Sequence, residues 1–508
     1  MKNVLEYLER AAEKEPDKTA VDDGETEYSY HQLHDLSRRL GSTIALKSKA
    51  NKPVIVFLDK SADTLAIFLG IVYAGCFYVL VSPEFPVERV RKMIGALDAD
   101  LAVTKETYVQ KLKEGGFSGE ILEYDTVIDQ SRIDEQLLLQ VQRNMQPEDI
   151  LYGIFTTGST GVPKNVIVSH KAVIDFIEDF CEVSEISSAD RIGNQAPFDF
   201  DVSVKDIYSS LCVGATMVLI PKAMFSQPDD LLSYLSEKKV SVLIWAVTAL
   251  CMVTRAADFT KRIAGTIRKV LFSGEVMPLN QLEIWRTALP DAEFYNVYGP
   301  TEVTCNCTWY KIGQQEKFEK KVPIGVPFPK RKIYLLNEQR KEIKEPDVMG
   351  EICVGGDTLA TGYLNNESEQ KKKFIRNPLE DNGETVYCTG DLGYYGTDSQ
   401  LYYAGRKDYQ VKRMGHRIEL EEVELAIANV PGVRHVCCVF CDESQVLVAF
   451  YTGDTQRGEV RRAIRKAIPV YMMPNRIFQL DEMPVNKNGK TDRGFLKSHY
   501  KELFAYTR

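Results

Sequence analysis

At 508 residues the chain is too long for one hydrophobic core and is expected to divide into two or more domains. Its 44% hydrophobic and 27% charged content excludes a disordered or fibrous chain. A net charge of −9, with Lys and Arg spread throughout and no basic stripe interleaved with aromatics, argues against nucleic-acid binding driven by bulk electrostatics.

The first segment, Met1 to Pro16, places Val4, Leu5, Leu8 and Ala12 on one face of an amphipathic helix. It lacks the basic head and apolar core of a signal peptide. Val54 to Leu58 reads as a strand, Ala62 to Ala74 as a helix and Phe77 to Val81 as a strand. The apolar run Leu65 to Val81 holds two glycines and is short for a membrane span, so it reads as a buried helix running into a buried strand. A soluble, cytoplasmic protein without membrane association is the expectation. Val87 to Leu97 is helical and Leu101 to Thr104 a strand, and the rhythm returns in Thr216 to Ile220, Asp229 to Lys238, Val240 to Trp245 and Lys269 to Phe272. This alternation predicts α/β layers with buried sheets.

From Lys321 the texture changes to strand and turn: Lys332 to Asn337, Gly350 to Gly355, Glu384 to Cys388 and Gln400 to Tyr403. After Gly405-Arg406-Lys407-Asp408 a smaller unit follows. It reads as a strand, a helix (Leu420 to Asn429), two strands (Val433 to Cys441, Gln445 to Tyr451), a helix (Gly458 to Ile468), a strand (Arg476 to Leu480) and a closing helix. A domain boundary is placed near Asp408, where no Gly/Ser tether occurs, so relative motion there would come from a few hinge torsions. Most of the eleven cysteines lie in apolar runs and read as buried thiols of a reducing compartment. Cys305-x-Cys307 and Cys437-Cys438-x-x-Cys441 lack the partners of a four-ligand metal set.

Thr156-Thr157-Gly158-Ser159-Thr160-Gly161-Val162-Pro163-Lys164 follows the apolar run Ile150 to Phe155. Backbone poor in side chains can close N–H groups around phosphate oxygens, the hydroxyls add donors, and Lys164 adds a point charge. The loop suits a polyphosphate, yet Pro163 before the lysine separates it from a Walker A loop. Four further motifs accompany it. Asn296-Val297-Tyr298-Gly299-Pro300-Thr301-Glu302 offers an aromatic face, a tight turn, a hydroxyl and a carboxylate. Tyr387-Cys388-Thr389-Gly390-Asp391 ends a strand on a carboxylate able to hold vicinal hydroxyls. Gly405-Arg406-Lys407-Asp408 runs on to Gly415-His416-Arg417-Ile418-Glu419-Leu420, and Pro484 to Arg493 sets Lys490 on a Gly-Asn loop.

In this order the motifs resemble the adenylate-forming (ANL) superfamily, most of all stand-alone amino acid adenylation enzymes such as D-alanine–carrier protein ligases, and the adenylation domains of peptide synthetases. The resemblance runs from Tyr28-Ser29-Tyr30-His31-Gln32-Leu33 to the terminal lysine motif. It implies an α/β fold: a large N-terminal domain of layered α/β subdomains plus a small sheet-rich subdomain, residues 1–407, holding ATP and substrate. A small α+β C-terminal domain, 408–508, would carry the catalytic lysine and reorient about Asp408.

The resemblance also implies roles. Thr156, Thr157, Gly158, Ser159, Thr160, Gly161 and Lys164 would wrap the β- and γ-phosphates of ATP. Tyr298 would stack on adenine with Gly274, Asn296 and Gly299 beside it, and Thr301 would meet the α-phosphate. Glu302 would hold Mg2+, Asp391 and Arg406 the ribose, and Lys490 would bridge substrate carboxylate and α-phosphate. A carboxylate is already a nucleophile, so the chemistry needs relief of anion repulsion rather than an attacking serine or a base; losing one such preorganised contact costs about 10²–10³ in rate. The acyl group would then pass to the phosphopantetheine thiol of a carrier protein, entering past Met414-Gly415-His416. No carrier module follows the lysine motif, so that carrier is expected on a separate chain. Two positions depart from the family pattern: Asn165 stands where glycine is usual, and Arg413-Met414 inverts the commoner hydrophobic-then-Arg order.

Phe198-Asp199-Phe200-Asp201-Val202-Ser203-Val204 aligns with the segment that anchors the substrate amine, which makes Asp201 the anchor unless it only caps the following helix. The remaining pocket positions, matched the same way, are Val202, Lys205, Ile244, Leu271, Ser273, Val297, Cys305 and Asn306. A Lys205 that points inward implies an acidic or polar substrate tail; one that points outward leaves a lining suited to a small side chain such as alanine. D-alanine ligases have cysteine at the position of Ser273. The alternative reading is an acyl-CoA synthetase acting on a small carboxylic acid.

Overall fold

The computed structural model describes residues 1–158, 162–381, 383–441, 444–485 and 491–506, with backbone alone for 502–506. Among these residues, five sheets and their flanking helices build a mixed α/β protein with a large N-terminal part and a smaller C-terminal one.

The nine-stranded sheet is parallel through its middle, where Thr216–Leu219, Arg191–Asn194, Val242–Ala246, Lys269–Ser273 and Glu293–Tyr298 lie side by side in that order. Val242–Ala246 and Lys269–Ser273 are buried along their whole length. Strands covered on both faces read as unbroken apolar runs rather than alternating ones, which is why they stand out in the sequence. The seven-stranded sheet is parallel from Glu120–Glu123 through Leu101–Thr104, Pro53–Phe57 and Phe77–Leu80 to Ile150–Thr156. It then turns antiparallel into Lys164–Ser169. Helix Tyr30–Ala45, started by a Ser29/Gln32 capping box, crosses helix Ala62–Tyr73 at two glycines. A Cβ on Gly41 would stand 2.5 Å from that of Tyr73, and one on Gly70 2.7 Å from that of Leu40. The run Leu65 to Val81 is the buried helix and strand expected, and among the described residues no helix is long and apolar enough to cross a membrane.

The five-stranded sheet differs from expectation in one respect that matters for the site. The strand expected to end at Cys388 runs from Thr385 to Tyr395, so Asp391 lies within it and not beyond its end. Gly390 takes φ 78°, and the pairing slips between Leu392 and Gly393, so the strand bends and keeps its partner, Leu401–Arg406. Asp391 therefore stands directly opposite Arg406.

Beyond it, Gln410–Arg413 and His416–Glu419 form a two-stranded hairpin, and a three-stranded sheet of Val433–Cys441, Val446–Gly453 and Arg476–Gln479 follows. Helices Leu420–Ala428 and Arg457–Ile464 close a core of Val423, Ile427, Leu447, Ala449, Val460 and Ile464 on this sheet.

Candidate active site

In open parallel sheets, ligands bind beyond the carboxyl ends of the strands. Here Ala246, Ser273 and Tyr298 end three neighbouring strands of the nine-stranded sheet. Thr156 ends a strand of the seven-stranded sheet.

The Thr/Gly loop is a hairpin loop: Thr156 pairs with Lys164 across two antiparallel strands. At Gly158 a Cβ would lie 2.2 Å from the Val162 carbonyl oxygen, so only glycine fits. Ser159, Thr160 and Gly161 lie outside the described residues. The Lys164 ammonium, 8% exposed, donates to Glu369 Oε2 at 2.6 Å and sits 5.9 Å from the centre of the Tyr363 ring. Burial alone would raise the Glu369 carboxyl, but hydrogen bonds from Lys164 and Lys372 outweigh it and hold it near 2. Asn165 is buried with its side-chain amide unpartnered among the described residues, against Gly153, where a Cβ would be 2.4 Å from Asn165 Oδ1.

Three of the expected nucleotide residues, Tyr298, Asp391 and Arg406, come together. The Tyr298 hydroxyl donates to Asp391 Oδ2 at 2.6 Å, and Asp391 pairs with Arg406. Arg406 in turn grips both oxygens of Asp408 at 2.6 and 2.8 Å. Asp408 is thus tied by a fork of two hydrogen bonds to the same arginine that faces Asp391. Asn296 donates to the Pro323 carbonyl at 2.7 Å. Gly274 has φ 93° and open space where a side chain would stand. Gly299 admits no side chain, its Cβ falling 2.5 Å from Asn306 Cα.

Asp201 precedes helix Val202–Val213 but makes no capping hydrogen bond to it. Burial raises its pKa above the ordinary value, against the pull of Thr301 and Lys205. Cys305 donates its S–H to the Asp201 carbonyl at 3.2 Å. Both Thr304 and Cys305 adopt left-handed backbone, φ 58° and 70°, which residues with a Cβ rarely take outside functional turns. Val202, Ser273, Val297 and Cys305 are all buried, and Lys205 points inward, 1% exposed, toward Ser273 and Asn306.

The hairpin Gln410–Arg413/His416–Glu419 enters this site from the C-terminal part. Arg417 Nη1 lies 2.9 Å from each oxygen of Glu302, which also accepts from the Tyr363 hydroxyl at 2.8 Å. Burial would raise the Glu302 carboxyl, but Arg417 and then Tyr363 prevail and keep it below the usual carboxylate value. Thr157 donates to the Arg417 carbonyl at 3.2 Å, and the Gly415 N–H donates to Glu275 Oε1 at 3.0 Å. Lys412 Nζ stands 5.7 Å from the centre of the Tyr298 ring, and His416 stacks on Tyr471 at 3.9 Å. Arg413 turns back into its own unit, donating to the Tyr471 and Met473 carbonyls, while Met414 sits half-exposed at the tip with φ 53°. A narrow cleft lined by Phe85, Met93, Phe155, Phe200 and His416 reaches Thr301.

Lys490 lies outside the described residues, as do 486–489. On either side of that stretch Val485 bridges to Thr491, and Arg493 pairs with Glu424 at 2.8 Å. No role for Lys412, Tyr363, Glu369 or Arg417 was legible from the residues alone. Arg417 and Lys412 belong to a noted motif, but only the docking of the hairpin shows which carboxylate Arg417 meets.

Among the described residues no cluster of three or more His, Cys, Asp or Glu could hold a metal. Mg2+ is commonly bound by one or two carboxylates together with substrate phosphates, and buried Glu302 fits that role. Both its oxygens also accept from Arg417 Nη1.

The profile of the AMP-binding enzyme family matches residues 8–364, and that of the AMP-binding enzyme C-terminal domain matches 422–490. The chain belongs to the AMP-binding enzyme family. Bacitracin synthase 3 of Bacillus licheniformis is 31% identical over 504 residues, covering 97% of this chain and 8% of that protein. Tyrocidine synthase 1 of Brevibacillus parabrevis is 28% identical, covering 97% of this chain and 44% of its own length. The chain thus spans less than half of these relatives. Among solved structures, IdnL1 superposes with a TM-score of 0.80 at 27% identity, covering 95% of this chain and 98% of that one. The Vibrio cholerae adenylation domain AlmE, solved with glycyl-adenosine-5'-phosphate, gives a TM-score of 0.85 at 20% identity over 99% and 98%. At that identity the likeness to AlmE is one of fold.

Proposed function

We propose that this AMP-binding family member activates an amino acid as aminoacyl-AMP at the expense of ATP, releasing pyrophosphate. It then passes the aminoacyl group to the phosphopantetheine thiol of a separate carrier protein. The observation that carries the amino acid reading is Asp201. It is a buried carboxylate that makes no capping hydrogen bond to its own helix and no ion pair among the described residues. A buried carboxylate left without a cation is strongly disfavoured, so a substrate ammonium is its natural complement.

In the first step a substrate carboxylate oxygen bonds to the α-phosphorus as the bond from phosphorus to the bridging oxygen breaks and pyrophosphate leaves with the electron pair. Lys490 would neutralise the meeting anions, the Thr156–Lys164 loop would hold the departing phosphates, and Tyr298, Asp391 and Arg406 would hold the nucleoside. Bound at Glu302, Mg2+ supplies charge neutralisation for the leaving group. In the second step the thiol sulfur bonds to the acyl carbon, AMP leaves with the electron pair, and the thiol proton passes to the phosphate or to water. We place the division between the two units at Asp408, giving 1–407 and 408–508. The docked hairpin is consistent with the second step: Arg417 sits on Glu302 and the cleft beside His416 leads toward Thr301.

The test is ATP–pyrophosphate exchange over the proteinogenic amino acids and a set of aliphatic and aryl acids. Exchange with at least one amino acid well above every simple acid supports the reading. Faster exchange with a simple acid would replace it with an acyl-CoA synthetase.

A further inference from the structure

Lys205 follows Asp201 by four residues, which places the two side chains on one face of helix Val202–Val213, about 6 Å apart along its axis. Both are buried, at 7% and 1% exposure, yet they make no ion pair within 4 Å. Lys205 Nζ donates instead to two neutral oxygens, Asn306 Oδ1 at 2.8 Å and Ser273 Oγ at 3.4 Å. An ammonium has three donors, and the third has no partner among the described residues. The neighbouring Asp206 does not serve it: its Oδ2 accepts from Asn194 at 2.6 Å, and burial pushes its carboxyl up to about 7. Asp201 and Asp206 act on the ammonium only through space, with no hydrogen bond to it, and the nearby Cys305 thiol is kept neutral by burial.

A buried cation whose hydrogen bonds all go to neutral oxygens is costly to fold around and is retained where something completes it. We infer that Lys205 completes its coordination with a second carboxylate carried by the substrate, so that the amino acid activated has an acidic side chain, of the aspartate or glutamate class. The two charged residues then read as a pair of opposite anchors on one turn of helix, Asp201 for the ammonium and Lys205 for the side-chain carboxylate. Ser273 and Asn306 hold the lysine in place for it. The inference rests on the amino acid reading above and adds to it the identity of the side chain.

Pyrophosphate exchange with the full chain tests it, using aspartate and glutamate of either hand against asparagine, glutamine, alanine and glycine. The expected result is exchange with one acidic amino acid about a hundredfold or more above its amide, because a site built around a charge rejects the analogue that lacks it. In Lys205→Met, whose folding is checked by its melting curve, the acid-over-amide ratio should fall to about one or below. Fastest exchange with alanine, glycine or another neutral amino acid in the natural enzyme overturns the inference while leaving amino acid activation standing, and needs no variant. Retention of the acidic preference in a folded Lys205→Met also overturns it. Exchange confined to simple acids without an amine would instead remove the amino acid reading itself.

Discussion

Arg417 Nη1 sits 2.9 Å from both carboxylate oxygens of Glu302, across 115 residues of chain and across the junction of the two units. The pair is nearly dry, with side chains 15% and 1% exposed. In the proposed mechanism Glu302 would serve Mg2+ during adenylation, so the docked hairpin, with Arg417 on that carboxylate, is assigned to the thioester-forming step. Breaking a buried pair from one side costs about 3–5 kcal/mol because the remaining charge is stranded. Arg417→Ala is therefore expected to slow thioester formation by about a hundredfold or more while pyrophosphate exchange stays within about threefold. Separate single-turnover assays of the two half-reactions read this directly, and equal losses would mean that the contact serves no step in particular.

Asp408, held by the fork of Arg406, is the position at which the chain would turn. Asp408→Pro fixes φ there and removes both hydrogen bonds. It should impair one half-reaction at least tenfold more than the other. A matched decline in pyrophosphate exchange and thioester formation counts against a swing about this residue.

Arg89 and Glu422 form a second buried pair between the units, at 5% and 4% side-chain exposure. Arg89 Nε and Glu422 Oε2 have no further partner among the described residues, so the pair is incompletely satisfied. Such pairs tolerate joint replacement by apolar groups far better than loss of one member. Arg89→Met or Glu422→Met alone should release the hairpin, seen as faster amide hydrogen exchange over residues 410–419. The double substitution should bring exchange back near the natural rate. Additive acceleration in the double variant would show that the pair does not couple the units.

His170 is buried, and burial lowers its pKa from 6.5 to about 3; its Nδ1 faces the Val4 N–H at 3.4 Å. The unfolded chain takes up a proton there below 6.5 that the folded one refuses until about 3. Stability from this site is complete above pH 6.5 and lost as pH falls toward 3, with a slope approaching ~1.4 kcal/mol per pH unit. Urea unfolding between pH 7 and 4 should fall less steeply for His170→Asn than for the natural chain. Parallel curves would assign the acid sensitivity elsewhere.

The layered α/β architecture was legible because its central strands are covered on both faces and read as continuous apolar runs, Val242–Ala246 and Lys269–Ser273 among them. Tyr298, Asp391 and Arg406 were legible as motif residues, but their mutual contact was not, because it depends on a strand that bends at Gly390 and continues to Tyr395. The direction of Lys205 could not be read either: it is set by how helix Val202–Val213 lies over Ser273 and Asn306, residues 68 and 101 positions away. The same holds for Arg417, whose partner is fixed by docking of one unit on another rather than by local pattern. Asp201 could equally have capped its helix, and only the folded chain shows that its side chain makes no capping hydrogen bond.

The most direct measurement is a crystal structure of the full chain with a non-hydrolysable aminoacyl sulfamoyl adenosine. The expected result is the ligand amine within hydrogen-bonding distance of Asp201, the adenine against Tyr298 and the ribose hydroxyls on Asp391. An ordered ligand whose amine lies away from Asp201, or whose adenosine binds apart from Tyr298 and Asp391, would contradict it.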